Sequence, residues 1–355
     1  MLCSRKSIIF NKFFFIIPYH KIGGAERVHI NIIKSLKYKP FVFFDYSDST
    51  HISKEFKDNA YCFFITSKRR RKYAYYFIKI ISYIFPVTIF GCNSNVFYNF
   101  ISRLKGKVKS IDLTHAFSFP EKGMEISSLP FVDLIDKRVV INQKTKIDYE
   151  HLYKENNIEK KLLNRFVIIP NGILISDFKN DIDSRFENFT IGFVGRNSPE
   201  KRPELFFDIV KDLNIKSKVI GDNFDFYKTH FPNVKYFENC NEQKTIREQF
   251  SEISLLIVSS SREGFPLVIM EAMELGIPVI ATNVGSISEH IINHKNGYLG
   301  PVEYLDFLDF SKLIIKRLVS DKALYFSISS NAREYAILNF NIKRFKDQYR
   351  KLFYE

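Results

Sequence analysis

Two glutamates eight positions apart, Glu263 and Glu271, bracket Gly264-Phe265-Pro266-Leu267, a stretch that reads as the turn into a helix. A helix start presents unpaired backbone N–H groups and the positive end of the aligned peptide dipoles, which favours an anion such as a phosphate. Position 271 lies about 12 Å along a helix axis from position 263, so the two carboxylates would grip different parts of one extended ligand. Each can accept paired hydrogen bonds from neighbouring hydroxyls, as a sugar or a ribose offers them. Two cations, Arg196 and Lys201, follow an apolar run ending in Gly195. Arginine as a planar fork and lysine as a point charge can neutralise a diphosphate without a metal. In the first half, Gly23-Gly24 makes a turn through which backbone can approach a phosphate or a sugar closely, and His115 closes an apolar run. Asp181 and Asp183 form an acidic pair within the polar stretch 177–188, where a solvated patch is the plainer reading.

These residues need strands to aim them and helices to back them. The run Ile253 to Val258 reads as a buried strand, with Pro266 in the first turn of the following helix, where its missing N–H costs nothing. Thr190 to Gly195 reads as a strand, and Pro203 starts the next helix. Further strands are expected over 7–18, 41–45, 60–65, 87–90, 108–115, 138–141, 218–221 and 234–237, alternating with helices, among them 96–104 and one running on to Lys160. Such alternation means parallel, doubly wound α/β sheets, which bind ligands at the carboxyl ends of their strands. Pro170-Asn171-Gly172 marks the crossing between two domains.

A chain of 355 residues, 45% hydrophobic and 26% charged, is globular and long enough for two domains. The four cysteines, Cys3, Cys62, Cys92 and Cys240, have neither disulfide-framework nor metal-ligand spacing with the histidines, and His20 reads as a loop residue. The net charge of +14 is one-sided: residues 1–167 hold 29 Lys and Arg against 14 Asp and Glu, and the remainder 24 against 25. An anionic surface meeting the first half would explain that asymmetry. Lys68-Arg69-Arg70-Arg71-Lys72 followed by the aromatic stretch 73–90 fits a helix lying on an anionic membrane, and equally a charge run capping a core helix. Lys79 and Pro86 interrupt that stretch, which excludes a transmembrane span, and 7–18 lacks the cleavage site of a signal peptide.

The string from Ser259 to Met273, with Gly276-Ile277-Pro278-Val279-Ile280-Ala281-Thr282 after it, resembles retaining glycosyltransferases of family 4, whose signature is a glutamate pair of the form E-x7-E. The resemblance implies a GT-B fold: two Rossmann-like, doubly wound parallel-sheet domains with a nucleotide-sugar in the cleft between them. Residues 1–167 would form the acceptor-side domain, 168–335 the nucleotide-sugar domain, and 336–355 a helix returning to the first. It makes Glu263 the contact to the donor sugar and Glu271 the ribose contact, with Arg196 and Lys201, in a G-R-x-x-x-x-K pattern, on the diphosphate. Gly23, Gly24, Gly264, Phe265, Pro266 and Leu267 would complete the donor site, and His115 would reach the donor sugar and the reacting centre. Ser286 stands where the family has a second glycine. Asp181-Ile182-Asp183 matches the D-x-D string of metal-dependent transferases, yet no metal or other cofactor is expected. The implied partners are a nucleotide-sugar, with UDP first in line, and a glycan or lipid-linked acceptor of surface polysaccharide synthesis. The implied place is the cytoplasm, peripherally at the inner face of the membrane, and no nucleic acid is expected. A nucleotide-sugar 2-epimerase and a catalytically silent basic scaffold are the alternatives.

Overall fold

The structure is a computed structural model that describes residues 13–19, 23–46, 52–117, 123–176, 181–238 and 243–355. His20, Cys3, Cys240, positions 7–12 of the first expected strand and positions 177–180 of the polar stretch lie outside the described residues. The chain divides into two compact units, Met1–Ile169 with Lys346–Glu355, and Pro170–Phe345.

The first unit is built on seven strands: β1 (Phe13–Ile17), β2 (Phe41–Phe44), β3 (Tyr61–Phe64), β4 (Val87–Cys92), β5 (Val108–Thr114), β6 (Lys137–Val140) and β7 (Phe166–Ile168). Their order is β3-β2-β1-β4-β5-β6-β7, and every pairing is parallel. Helices must therefore cover both faces, which is why β1 and β4 are buried along their whole length. The order reverses between β1 and β4, the switch point at which such sheets bind ligands. The last ten residues complete this unit: Phe353 packs on Phe13, Phe15 and Phe90, and Lys37 N–H donates to the Tyr354 hydroxyl over 2.9 Å.

The second unit repeats the plan with six strands, β8 (Thr190–Val194), β9 (Lys216–Ile220), β10 (Lys235–Phe237), β11 (Leu255–Val258), β12 (Val279–Thr282) and β13 (Tyr298–Gly300). They run β10-β9-β8-β11-β12-β13, all parallel, with the switch point between β8 and β11. Phe193, Leu205, Phe206, Ile257, Ile280 and Ile315 are among its core residues.

Three elements differ from the sequence reading. Lys68–Lys72 does not precede a helix but opens one, Lys68–Ile84, whose start is fixed by Ser67 Oγ accepting the Arg70 N–H. The helix after β6 stops at Glu155, and Lys160 begins a separate 3₁₀ turn. Pro266 sits at the N-cap with an extended backbone, so the helix proper is Leu267–Glu274. The acidic pair Asp181 and Asp183 has ordinary duties. Asp181 caps the helix Ile182–Glu187 by accepting from Ser184 N–H, and Asp183 pairs with Lys322 over 2.7 Å. Among the described residues no helix is long and apolar enough to cross a membrane.

Candidate functional site

At the switch point of the second unit, β8 delivers Gly195 and a 3₁₀ turn Pro199–Lys201, while β11 delivers Ser259 to Gly264. These two loops are sewn together through backbone. Ser261 N–H donates to Glu200 O over 2.8 Å, and the Ser259 hydroxyl donates to the carbonyls of Lys201 and Arg202, each over 2.9 Å. Arg202 occupies the left-handed region at φ 46° and sends its guanidinium back to the carbonyls of Ser259 and Val302, over 2.6 and 2.8 Å.

That scaffold joins Lys201 to Glu263 in a direct ion pair, with side chains 20% and 10% exposed. The same Glu263 oxygen accepts from the Ser260 hydroxyl over 2.7 Å, and the Thr282 hydroxyl holds the Ser260 carbonyl. Gly264 is held from the other side by Ser286, whose N–H and hydroxyl donate to its carbonyl over 2.9 and 3.0 Å. The serine that departs from the resembled pattern thus clamps the loop itself. Gly285 beside it has φ +59°, and a Cβ there would lie 2.0 Å from the Glu263 carbonyl oxygen. The Leu267–Glu274 helix follows, with Glu271 one turn in and partly buried.

Three residues expected at a ligand sit differently. The Arg196 guanidinium is 76% exposed and meets Glu200 at 3.4 Å, outside the Lys201–Glu263 pair. Glu200 feels both cations: burial pushes its carboxyl up, but backbone and side-chain hydrogen bonds and the charges of Arg196 and Lys201 outweigh it and leave the pKa lowered. The Phe265 ring is buried in the core, 4.1 Å from the His290 ring and 5.4 Å from that of Phe340. Leu267 is likewise buried.

In the first unit, Gly23 is the extended N-cap of the helix Gly24–Ile33 and Gly24 its first residue. His115 lies one residue past β5, at the carboxyl edge of the first sheet. The two come together through a residue the sequence reading passed over. His29, on that helix and 2% exposed, places its Nε2 3.3 Å from His115 Nε2. Burial drives the His29 pKa well down, with His115 adding to the effect, and takes His115 to about 4, so both rings are neutral near pH 7 and one proton lies between them. Cys92 at the end of β4 brings a third ligand-type atom within 4.8 Å of both, a grouping that linear spacing hid. Its chemistry is poor for a cation. Burial, then Asp112 and Glu26, push the thiol well up, and His29 Nδ1 is buried without the acceptor that a ligating histidine ordinarily has.

Other residues missed in the sequence are supports. Glu274, 2% exposed, accepts from Ser176 N–H at 2.9 Å and meets Arg247 at 2.8 Å and Arg333 at 3.6 Å, anchoring the far end of the 267–274 helix. Nothing in its local sequence distinguishes it, whereas His29 carried a signal: it shares a helix face with Ile32 and Ile33. A histidine there is either a core residue or a partner to another group.

Comparison with known proteins bears on this geometry. Residues 176–335 match the model of the family described as glycosyl transferases group 1. The chain is 30% identical over 213 residues to the capsular polysaccharide biosynthesis glycosyltransferase CapM of Staphylococcus aureus, covering 54% of this chain and 53% of that protein. It is 26% identical over 210 residues to the UDP-Gal:alpha-D-GlcNAc-diphosphoundecaprenol alpha-1,3-galactosyltransferase of Escherichia coli, covering 52% and 53%. The chain spans about half the length of the curated relatives it matches. Among solved structures, Anabaena Alr3699/HepE in complex with UDP-glucose superposes with a TM-score of 0.76 at 19% identity, covering 96% of this chain and 98% of that one. The chain therefore has the GT-B fold of two Rossmann-like units, and its segment 176–335 is the part that the group 1 glycosyl transferase model matches.

Proposed function

We propose that this protein is a retaining, metal-independent glycosyltransferase that moves a sugar from a nucleotide-diphosphate-sugar, UDP-linked in the first instance, to a hydroxyl of a glycan or lipid-linked acceptor in surface polysaccharide synthesis. The observation that carries this reading is the Lys201–Glu263 pair, clamped at the switch point of the second unit against the loop that enters the Leu267–Glu274 helix. The names of the S. aureus and E. coli relatives, and the UDP-glucose in the Anabaena structure, support the substrate classes.

In this reading the bond from the sugar's anomeric carbon to the phosphate oxygen breaks as the bond to the acceptor oxygen forms, and the acceptor's proton leaves on the departing phosphate. Negative charge grows on the diphosphate, so Lys201 and the helix N–H groups stabilise the transition state more than the ground state, while Arg196, exposed beside Glu200, serves to bind the diphosphate. Glu263 holds the sugar by its hydroxyls, Glu271 takes the ribose, and His115, kept neutral by burial, serves as a hydrogen-bonding group at the reacting sugar. The acceptor reading places the chain peripherally on an anionic membrane face through the Lys68–Ile84 helix, which has no acidic residue.

Calorimetric titration with UDP, GDP and ADP, without metal and then with magnesium, tests the donor site. Micromolar binding of one diphosphate without metal, lost in Lys201→Ala, supports it. Binding of none overturns the transferase reading, and binding only with magnesium overturns its metal-free form.

A further inference from the structure

The helix Lys68–Ile84 is apolar well beyond its buried face, with the Phe77 ring at the border, 5.3 Å from that of Phe41. Ala74, Tyr75, Ile78 and Ile81 are buried against the first sheet. Tyr73, Phe77, Ile80 and Ile84, at steps of four, three and four residues, form a second stripe that is 60%, 40%, 61% and 62% exposed. A solvated helix normally carries one such stripe. Next to it, β3 pairs only with β2 among the described residues and stands at the edge of the sheet, with Tyr61 and Phe63 exposed on one face. A pocket of about 580 Å³ opens between strand and helix, lined by Phe43, Phe63, Ile65, Ala74 and Phe77 among others, with Arg70 as its one cation. Its size lies within the roughly 300–1,000 Å³ of small-molecule sites, but its wall offers hydrocarbon and a positive charge rather than a set of polar contacts.

Charge decides what fits. Lys68, Arg69, Arg70 and Lys72 are all exposed at this end of the helix, which holds no carboxylate. Arg71 differs, being spent on the carbonyls of Ile65 and Asp45. The occupant is thus an apolar chain joined to an anionic head. Direction decides where the head goes. All strands of the sheet are parallel, so Ile65, just past β3, lies on the same carboxyl edge as the Gly23–Gly24 turn and His115. β3 and β1 are two strands apart, roughly 10 Å.

We infer that this pocket holds the first hydrocarbon units of a prenyl diphosphate-linked acceptor, with Arg70 on the diphosphate and the glycan end directed along the carboxyl edge towards Gly23–Gly24. The inference rests on the lipid-linked acceptor of the proposed function. It deepens that reading by naming a diphosphate-bearing isoprenoid and the residues that hold it.

The chain contains no tryptophan, so Phe77→Trp, with Tyr73→Trp as a second reporter, gives a single fluorophore at the pocket. The full chain is titrated below micellar concentrations with farnesyl diphosphate, farnesol, inorganic pyrophosphate and dihexanoyl phosphatidylglycerol. The expected result is a saturable shift with farnesyl diphosphate, at least tenfold weaker with farnesol or the phospholipid, and absent with pyrophosphate. Arg70→Gln, at an exposed position, should weaken binding about tenfold, and Ala74→Phe should fill the pocket and abolish it. Equal response to farnesol, to pyrophosphate or to the phospholipid overturns the assignment, as does no response from either reporter. Titration with UDP on the same samples separates the two readings. UDP binding without prenyl binding sinks this inference alone, and prenyl binding without any nucleotide binding sinks the donor reading alone.

Discussion

Lys201 and Glu263 are each other's partners before any ligand enters, and that shapes what their removal does. The pair is largely enclosed, so Lys201→Ala leaves a carboxylate held only by the Ser260 hydroxyl, and phosphate would be met by uncompensated negative charge. Loss of one charge-stabilising donor at a reacting centre typically costs 100-fold or more, about 2.7 kcal/mol. Lys201→Ala should therefore lower kcat/KM for the nucleotide-sugar at least 100-fold. Arg196→Ala, which removes an exposed guanidinium paired only to Glu200 in the resting site, should act chiefly on KM. Initial-rate kinetics of the two single variants check this, and an equal fall of kcat in both would place Arg196 on the transition state beside Lys201. At this scale the sequence was informative about which groups carry charge, because Arg196 and Glu263 adjoin glycines and Lys201 lies between Pro199 and Pro203, turn residues whose chemistry is local. It was silent on who pairs with whom. Lys201 meets Glu263 across a separation of 62 residues, which only the β8–β11 adjacency creates.

The element that makes the site is a loop clamped from two sides, and its glycines are not equivalent. Gly285 is left-handed and has the Glu263 carbonyl where a Cβ would go, so Gly285→Ala must pay a conformational cost of about 1–2 kcal/mol and also push the Glu263 loop away. Gly195 closes β8 at the same site, yet a Cβ there would find nothing nearer than the Phe193 ring at 3.7 Å. Gly195→Ala should keep the melting temperature of the parent, whereas Gly285→Ala should lower it by several degrees and weaken diphosphate binding. Thermal unfolding alongside calorimetric titration separates the outcomes. A stable Gly285→Ala protein with unaltered binding would mean that the clamp does not position Glu263. Strands were the most legible elements, since buried parallel strands read as unbroken apolar runs such as Phe41 to Phe44 and Leu255 to Val258. Helix starts were less so. Lys68–Lys72 reads as a charge run ahead of a helix because cations oppose the dipole at a helix N-terminus, and the Ser67 cap and the buried stripe beyond override that.

For the whole molecule, two units on one plan carry unequal charge and unequal buried histidine. The excess of Lys and Arg over Asp and Glu lies in residues 1–167. His29 and His115, both in the first unit, have pKa values depressed by burial, whereas the second unit has His290, also lowered by burial with Glu289 opposing. A depressed folded pKa gives stability that is present above the unfolded value of 6.5 and lost as pH falls towards the folded one. The unfolded chain takes up protons through that window and the folded chain does not. For His115, at about 4, the loss between pH 7.5 and pH 4.5 is about 2.5 kcal/mol. Asp45 and Asp112 have pKa values raised by burial and so work in the opposite sense, gaining on acidification, which makes the parent's net slope alone ambiguous. The difference between the parent and His115→Gln is not, because it holds only the titration of His115 and the relief of its depressing effect on His29, and both act in the same sense. Calorimetry at pH 7.5 and 4.5 measures that difference. His115→Gln should lose less stability on acidification than the parent, by at least about 2.5 kcal/mol. Parallel pH curves for the two proteins would show that His115 titrates in the folded state as it does in the unfolded one, and that its ring is not held neutral at the edge of the sheet.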